Sequence, residues 1–129
     1  MATRPRVLLA EDHLGVAKAL SRLLAFDCDV GGVVADGAEV VEAAARLQPV
    51  VVVADVNLPT VSGLDACRAI VRANPRAKVI LMTGMVDEAI AEEAVAAGAA
   101  GFFPKFASGD ELLAAIKQLW TELEDDRKA

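Results

Sequence analysis

The chain has 129 residues, enough for one domain with a single core between a sheet and its helices. With 55% hydrophobic residues and only 4% aromatics, that core is built from Val, Leu, Ile and Ala, and disorder is excluded for most of the length. A formal net charge of −6, with no clustered Lys/Arg stripe, argues against direct binding of nucleic acid by this chain.

Cys28 and Cys67 stand far apart with no paired spacing, so neither a metal knuckle nor a disulfide framework is indicated. Reduced core thiols are the expectation, and a cytoplasmic address fits them. Met1 to Arg6 is followed by only Val7 to Ala10 before Glu11, too short an apolar run for a signal peptide or a membrane span. No membrane association is expected.

Val7 to Ala10 reads as a first strand, and it ends in acid at Glu11-Asp12. From Leu14 to Phe26 the positions Leu14, Ala17, Leu20, Leu23 and Leu24 recur at helical spacing and predict a helix packed on the sheet by that face. Asp27-Cys28-Asp29 breaks it. Val30 to Ala35 predicts a second strand, weakened by Gly31-Gly32, and Asp36 with Glu39 has the capping-box spacing for a helix to about Leu47.

The run from Pro49 through Val50-Val51-Val52-Val53-Ala54 is β-branched, short and bounded by prolines, as expected of a strand buried on both faces of a parallel sheet. It stops at Asp55, where open α/β sheets gather their ligands outside the carboxyl ends of the strands. Ser62 and Asp65 then box a third helix, which Asn74-Pro75 ends after about Ala73.

Lys78 to Met82 predicts a fourth strand, followed by Thr83-Gly84. Asp87 can cap an alanine-rich helix from Glu88 to Ala97, with Gly98 in the C′ role; its few large apolar groups predict weak anchoring. Gly101-Phe102-Phe103 is short enough for an edge strand, with Pro104-Lys105 directly after it. Ser108 and Glu111 box the last helix, which carries Leu112, Leu113, Ile116, Leu119, Trp120 and Leu123. Residues 1–123 thus form the domain, and Glu124 to Ala129 reads as a solvated tail or the start of a linker.

Five strands alternating with five helices predict an α/β sandwich with a parallel sheet. All carboxyl ends then share one edge, so Glu11, Asp12, Asp55, Thr83 and Lys105 can converge. Two carboxylates about 4 Å apart repel by roughly 4 kcal/mol at an effective dielectric near 20, so three acids need a cation. Lys105 supplies one charge and a divalent ion would supply two. All-oxygen ligands suit Mg²⁺ or Mn²⁺, while the lack of convergent His or Cys argues against zinc. His13, beside the acids, is expected as an exposed loop residue.

With the acidic pair Glu11-Asp12, Asp55-Val56-Asn57-Leu58-Pro59 with Gly63, Thr83-Gly84 and Gly101 to Lys105 in this order and spacing, the chain resembles the receiver domains of bacterial two-component response regulators, of the chemotaxis-regulator type. The resemblance runs from about Arg6 to about Leu123. It implies a doubly wound, flavodoxin-like sheet of order 2-1-3-4-5 flanked by five helices.

The same resemblance implies that Asp55 is the phosphoacceptor and takes its phosphoryl group from a phosphohistidine of a sensor histidine kinase. Asp12, Asp55 and the backbone carbonyl of Asn57 would ligate Mg²⁺, with Glu11 acting mainly through a bound water. Lys105 and backbone N–H donors near Val56 and Gly84 would neutralise charge during transfer. Thr83 and Phe102 would switch the face made by the fourth helix, fifth strand and fifth helix, a surface also open to homodimerisation. No catalytic turnover is expected beyond self-catalysed transfer and slow autodephosphorylation.

The chain departs from the family pattern in three places: Phe106 rather than proline follows Lys105, Gly84 replaces a common alanine, and Phe102 replaces a frequent tyrosine. An aspartyl-phosphate phosphatase is disfavoured because Asn57 stands where a general acid would be needed, two residues after Asp55. A nucleotide-binding reading fails because no GxGxxG or GxxxxGK follows the first strand. The remaining alternative is a receiver-fold module that binds protein without phosphorylation. The Glu11-Asp12-His13 start and the Gly101 to Lys105 stretch also resemble receivers that precede a helix-turn-helix output domain in transcription regulators.

Overall fold

The structure is a computed structural model that describes residues 4–85, 87–105 and 109–128. Strands and helices alternate as β1 (Arg6–Ala10), α1 (Leu14–Leu24), β2 (Asp29–Val34), α2 (Gly37–Leu47) and β3 (Val51–Asp55). They continue as α3 (Gly63–Ala73), β4 (Lys78–Thr83), α4 (Glu88–Ala96), β5 (Gly101–Pro104) and α5 (Gly109–Lys128). The five strands are parallel, in the order β2-β1-β3-β4-β5. This is the doubly wound arrangement expected from the alternation of apolar runs with helical periods.

The β-branched runs form the central strands because both of their faces are covered. Alternate residues go to opposite sides: Leu8, Ala10, Val52, Ala54, Val79 and Leu81 pack with α2, α3 and α4, while Val7, Leu9, Val51, Val53, Ile80 and Met82 pack with α1 and α5. Each fully buried Val, Leu or Ile contributes roughly 1.5–3 kcal/mol, so this two-sided burial fixes the register in which the strand ends line up. At the β2 edge, pairing skips Gly31, a bulge at the glycine pair.

The helix starts follow local chemistry. Asp36 Oδ1 accepts from the Glu39 N–H at 2.7 Å, Ser62 Oγ from the Asp65 N–H at 3.1 Å, and Asp87 Oδ1 from the Ala89 N–H at 2.7 Å. Gly98 takes φ 89° after α4, and the Ala99 N–H reaches back to the Ala94 carbonyl at 3.0 Å, the closing bond of a left-handed C-terminal cap.

Some boundaries and faces differ from the sequence reading. α1 stops at Leu24 rather than Phe26, and Leu14, in its first turn, is 69% exposed instead of packed. His13 is exposed but ordered by a job: its Nδ1 accepts from the Val16 N–H at 3.2 Å and caps α1. α5 runs on through Lys128, carrying residues Glu124 to Arg127 in helix, with Glu124 and Arg127 paired at 3.6 Å. Ser108 and Phe106 lie outside the described residues. Cys28 and Cys67 are free and buried. Among the described residues, no helix is long and apolar enough to cross a membrane.

Candidate functional site

The parallel register brings the strand ends to one edge. Ala10 pairs with Ala54, Asp55 with Met82 and Thr83 with Pro104, so the residues that follow these strands open onto a common space. Glu11, Asp12 and Asp55 each place a carboxylate oxygen within 4.8 Å of the others. Glu11 and Asp55 are buried, and Asp12 is exposed.

Lys105 spans the two buried acids. Its Nζ donates to Glu11 Oε1 at 2.5 Å and to Asp55 Oδ2 at 2.8 Å. Asp55 Oδ1 accepts the Asn57 N–H at 3.0 Å, so both oxygens of this carboxylate are oriented. Burial would depress the Lys105 ammonium, but the hydrogen bonds and charges of Asp55 and Glu11 outweigh it and hold the group above its ordinary pKa. Burial pushes the Glu11 carboxyl above its ordinary range, against the lowering effect of Lys105.

One atom is left over. Glu11 Oε2 is buried with no hydrogen-bond partner among the described residues. An orphaned carboxylate oxygen inside a trio of acids is a costly arrangement for the protein alone. A hard divalent cation with retained waters would satisfy it, and the donors present are all oxygens. Glu11, Asp12 and Asp55 are the acidic cluster among the described residues that could hold such an ion.

Thr83 is buried, and its hydroxyl is engaged within its own loop, donating to the Met85 carbonyl at 2.8 Å and accepting the Met85 N–H at 3.2 Å. Gly84 borders the site, since a Cβ there would lie 3.9 Å from Lys105 Cδ. That is ordinary contact, so an alanine would fit as well. Phe102 is half-buried against the α2, α3 and α4 side of the sheet, and Phe103 alternates to the other side.

One expected backbone donor is engaged within the sheet in this structure. The Val56 N–H is committed to the Met82 carbonyl at 2.8 Å, because the β3–β4 ladder continues one residue past Asp55. The amide that faces the carboxylate is that of Asn57. The alternating geometry of a strand leaving its ladder carries this signal: the first residue after Asp55 still points its N–H sideways to β4, and the second is free to turn back. The His13 cap was likewise missed, since histidine is outside the usual capping set.

The carboxyl edge of the sheet thus carries a buried aspartate at the end of β3, a lysine that reaches it from just past β5 and an acid pair just past β1. The chain matches the family model of the response regulator receiver domain over residues 7–117, and it belongs to that family. It is 36% identical over 115 residues to the response regulator GacA of Pseudomonas protegens, covering 87% of this chain and 54% of that protein. To the DNA-binding transcriptional activator DevR/DosR of Mycobacterium tuberculosis it is 33% identical over 117 residues, covering 88% and 54%. The chain therefore spans about half the length of the curated relatives it matches.

Among solved structures, a two-component response regulator of the LuxR family from Aurantimonas sp. SI85-9A1 superposes with a TM-score of 0.84 at 27% identity, over 98% of this chain and 99% of that one. The CheY-like receiver domain protein of Methanospirillum hungatei JF-1 has a TM-score of 0.87 at 22% identity, over 95% and 98%, and speaks for the fold alone. The chain is thus a receiver domain of a two-component response regulator whose relatives include transcriptional regulators.

Proposed function

We propose that Asp55 accepts a phosphoryl group from a phosphohistidine on a sensor histidine kinase, and that the phosphorylated chain controls an output domain or a protein partner. The observation that carries this reading is the double hold on Asp55: Lys105 Nζ on Oδ2 and the Asn57 N–H on Oδ1, beside the unsatisfied Glu11 Oε2. In the transfer, an Asp55 carboxylate oxygen attacks phosphorus in line. The O–P bond forms as the P–N bond breaks, and the departing imidazole nitrogen keeps the electron pair and picks up a proton.

Glu11, Asp12, Asp55 and the Asn57 carbonyl would hold Mg²⁺, which supplies neutralisation of the charge gathering on the phosphoryl oxygens. Lys105 can follow the phosphoryl group by exchanging a carboxylate oxygen for a phosphoryl one. The Asn57 N–H, and Gly84 at the mouth of the site, offer further donors. Water later cleaves the acyl phosphate, so the chain resets without acting as a turnover enzyme.

A phosphoryl group adds nearly two negative charges and three acceptors. The Thr83 hydroxyl, now bonded to Met85, gains a stronger acceptor and draws its loop inward, and Phe102 follows into the vacated space. Two states of the α4–β5–α5 face then read the phosphorylation, with homodimerisation through that face as one outcome. The reading places the chain in the cytoplasm with its kinase, and assigns DNA contact to a different domain.

Intact-mass spectrometry tests this. With Mg²⁺ and a small acyl-phosphate donor, the parent should gain one phosphoryl group, and Asp55→Ala or chelation of the metal should abolish the gain. No gain from either the small donor or a phosphorylated histidine kinase would overturn the reading in favour of a phosphorylation-independent binding module. Metal binding has its own readout: Mg²⁺ at about 100 times its Kd should raise stability by about 2.7 kcal/mol. Asp12→Asn should remove most of that gain without unfolding the chain, since Asp12 is exposed.

A further inference from the structure

Two neighbouring helices carry largely opposite charge. Residues 66–86 contain Arg68, Arg72, Arg76 and Lys78 and no acid, whereas residues 79–104 contain Asp87, Glu88, Glu92 and Glu93 and no base. The basic residues fall on α3 after Asp65, on the turn that follows it and, with Lys78, at the start of β4; the acidic ones fall on α4 and its cap.

These helices lie side by side on one face of the sheet. The Cys67 thiol donates to the Ala97 carbonyl at 3.5 Å, and a Cβ added to Gly98 would lie 3.1 Å from Val71 Cγ1. Arg68 and Arg72 each follow one of these contact residues by one position, about 100° around the helix from the packed side. Arg72 and Arg76 are exposed, as are Glu88, Glu92 and Glu93. Arg68 pairs with Asp65 at 2.7 Å, but the other five have no ion partner among the described residues. Val95, on the same outer face of α4, is 76% exposed.

We propose that this α3–α4 face docks a second copy of the chain. A two-fold axis lying in the face, parallel to the helices and midway between them, sets each copy's basic α3 against its partner's acidic α4. A foreign acidic or basic partner would match only one strip and be repelled by the other, whereas a second copy uses both twice. The same pattern penalises alternative registers, which bring like charges together. The net charge of −6 on each copy opposes association in general, so the pairing depends on local complementarity and must be salt-sensitive.

Sedimentation velocity on the full unphosphorylated chain tests this. The dimer should weaken at least about tenfold as salt rises from about 0.1 M to about 1 M, where the screening length falls from about 10 Å to about 3 Å. Arg72→Glu/Arg76→Glu reverses the two exposed unpaired arginines and leaves the face predominantly acidic, and Glu92→Lys/Glu93→Lys turns the second half of α4 basic, where cations suit the helix dipole. Each variant alone should associate at least tenfold more weakly than the parent. An equimolar mixture should form a heterodimer with near-parental affinity, because both contacts regain opposite signs.

The Lys variant carries a net charge nearer zero, so its associating better than the parent would show global charge in control and overturn the proposal. A parent that stays monomeric at millimolar concentration and low salt would overturn it too. So would a dimer indifferent to both reversals, which would lie on another face. Circular dichroism melts establish that each variant is folded. Arg72→Gln/Arg76→Gln is the milder form, expected to weaken the dimer without creating repulsion.

Discussion

α3 and α4 each follow a strand that delivers a site residue, yet they are held in different ways. α3 buries Gly63, Leu64, Ala66, Cys67 and Ile70, and its Gly63 N–H closes on the Val56 carbonyl at 2.8 Å. α4 buries Ala94 alone, and the loop before it is tied by the Thr83 hydroxyl to Met85. The difference separates two requirements. The group that would react must be held within a fraction of an ångström, so its strand-to-helix junction is rigid. The group that would report must move, so its helix comes from the weakly anchored end of the stability range.

The hardest way to break this contrast is at Gly63. A Cβ there would lie 2.0 Å from the Asp55 carbonyl oxygen and 2.9 Å from Val56 Cα, both backbone atoms that cannot step aside. Gly63→Ala should cost on the order of 4 kcal/mol in urea denaturation, and displace the Asp55 backbone enough to slow the proposed phosphoryl transfer even where the chain remains folded. Gly84→Ala, at the other junction, meets only ordinary contact and should change stability by less than about 0.5 kcal/mol.

Core truncations sharpen the same comparison at lower cost. Ile70→Ala removes a buried side chain from α3 and should destabilise by about 2–4 kcal/mol. Ile90→Ala in α4 removes a half-buried one and should cost about half as much. Amide hydrogen exchange gives an independent reading: α4 amides should exchange through local opening while those of α3 wait for global unfolding.

The strands were legible because two-sided burial demands unbroken β-branched runs, and Val50 to Ala54 has no other economical use. The capping pairs were legible because Asp36, Ser62 and Asp87 are short acceptors at the right distance from an amide. The convergence of Glu11, Asp55 and Lys105 followed from parallel strands sharing an edge. What escaped was set by one-residue geometry or by chemistry without a pattern. Leu14 satisfies the helical period but is exposed in the first turn of α1. Val56 keeps its N–H in the ladder. Residues 124–127 are charged throughout and show no apolar stripe, yet α5 carries them because i,i+3 pairing such as Glu124 with Arg127 supports helix as well as a tail.

The two cysteines divide between the two sides of the sheet, Cys28 with α1 and α5, Cys67 with α3 and α4. Burial pushes both thiols up to about 11 from 9.0. The native state therefore keeps protons that the unfolded chain releases, so this contribution is fully present below about pH 9 and is lost as pH rises towards 11. The contribution is at most about 3 kcal/mol per thiol. Urea denaturation of the parent and of Cys28→Ala/Cys67→Ala at pH 8 and pH 10.5 isolates it: the stability difference between the two chains should narrow at the higher pH.

The smallest expected effect lies in the loop that joins β3 to α3. Thr60 is exposed with φ 70°, a left-handed backbone that a β-branched residue adopts at a cost of about 1–2 kcal/mol. Thr60→Gly removes that strain but gives the unfolded chain more freedom, which takes back about 0.5–1 kcal/mol. Thr60→Asn keeps most of the restriction and, lacking the β-branch, accepts a positive φ more readily in the tight turn that the Val61 N–H closes on the Pro59 carbonyl at 2.8 Å. Asn should therefore stabilise by up to about 1 kcal/mol and Gly by less, as urea midpoints at constant m-value would show. If both variants are instead destabilised, the Thr60 side chain holds the loop through contacts that outweigh its strain, and the rigidity of the Asp55 junction extends further from the strand than Gly63 alone implies.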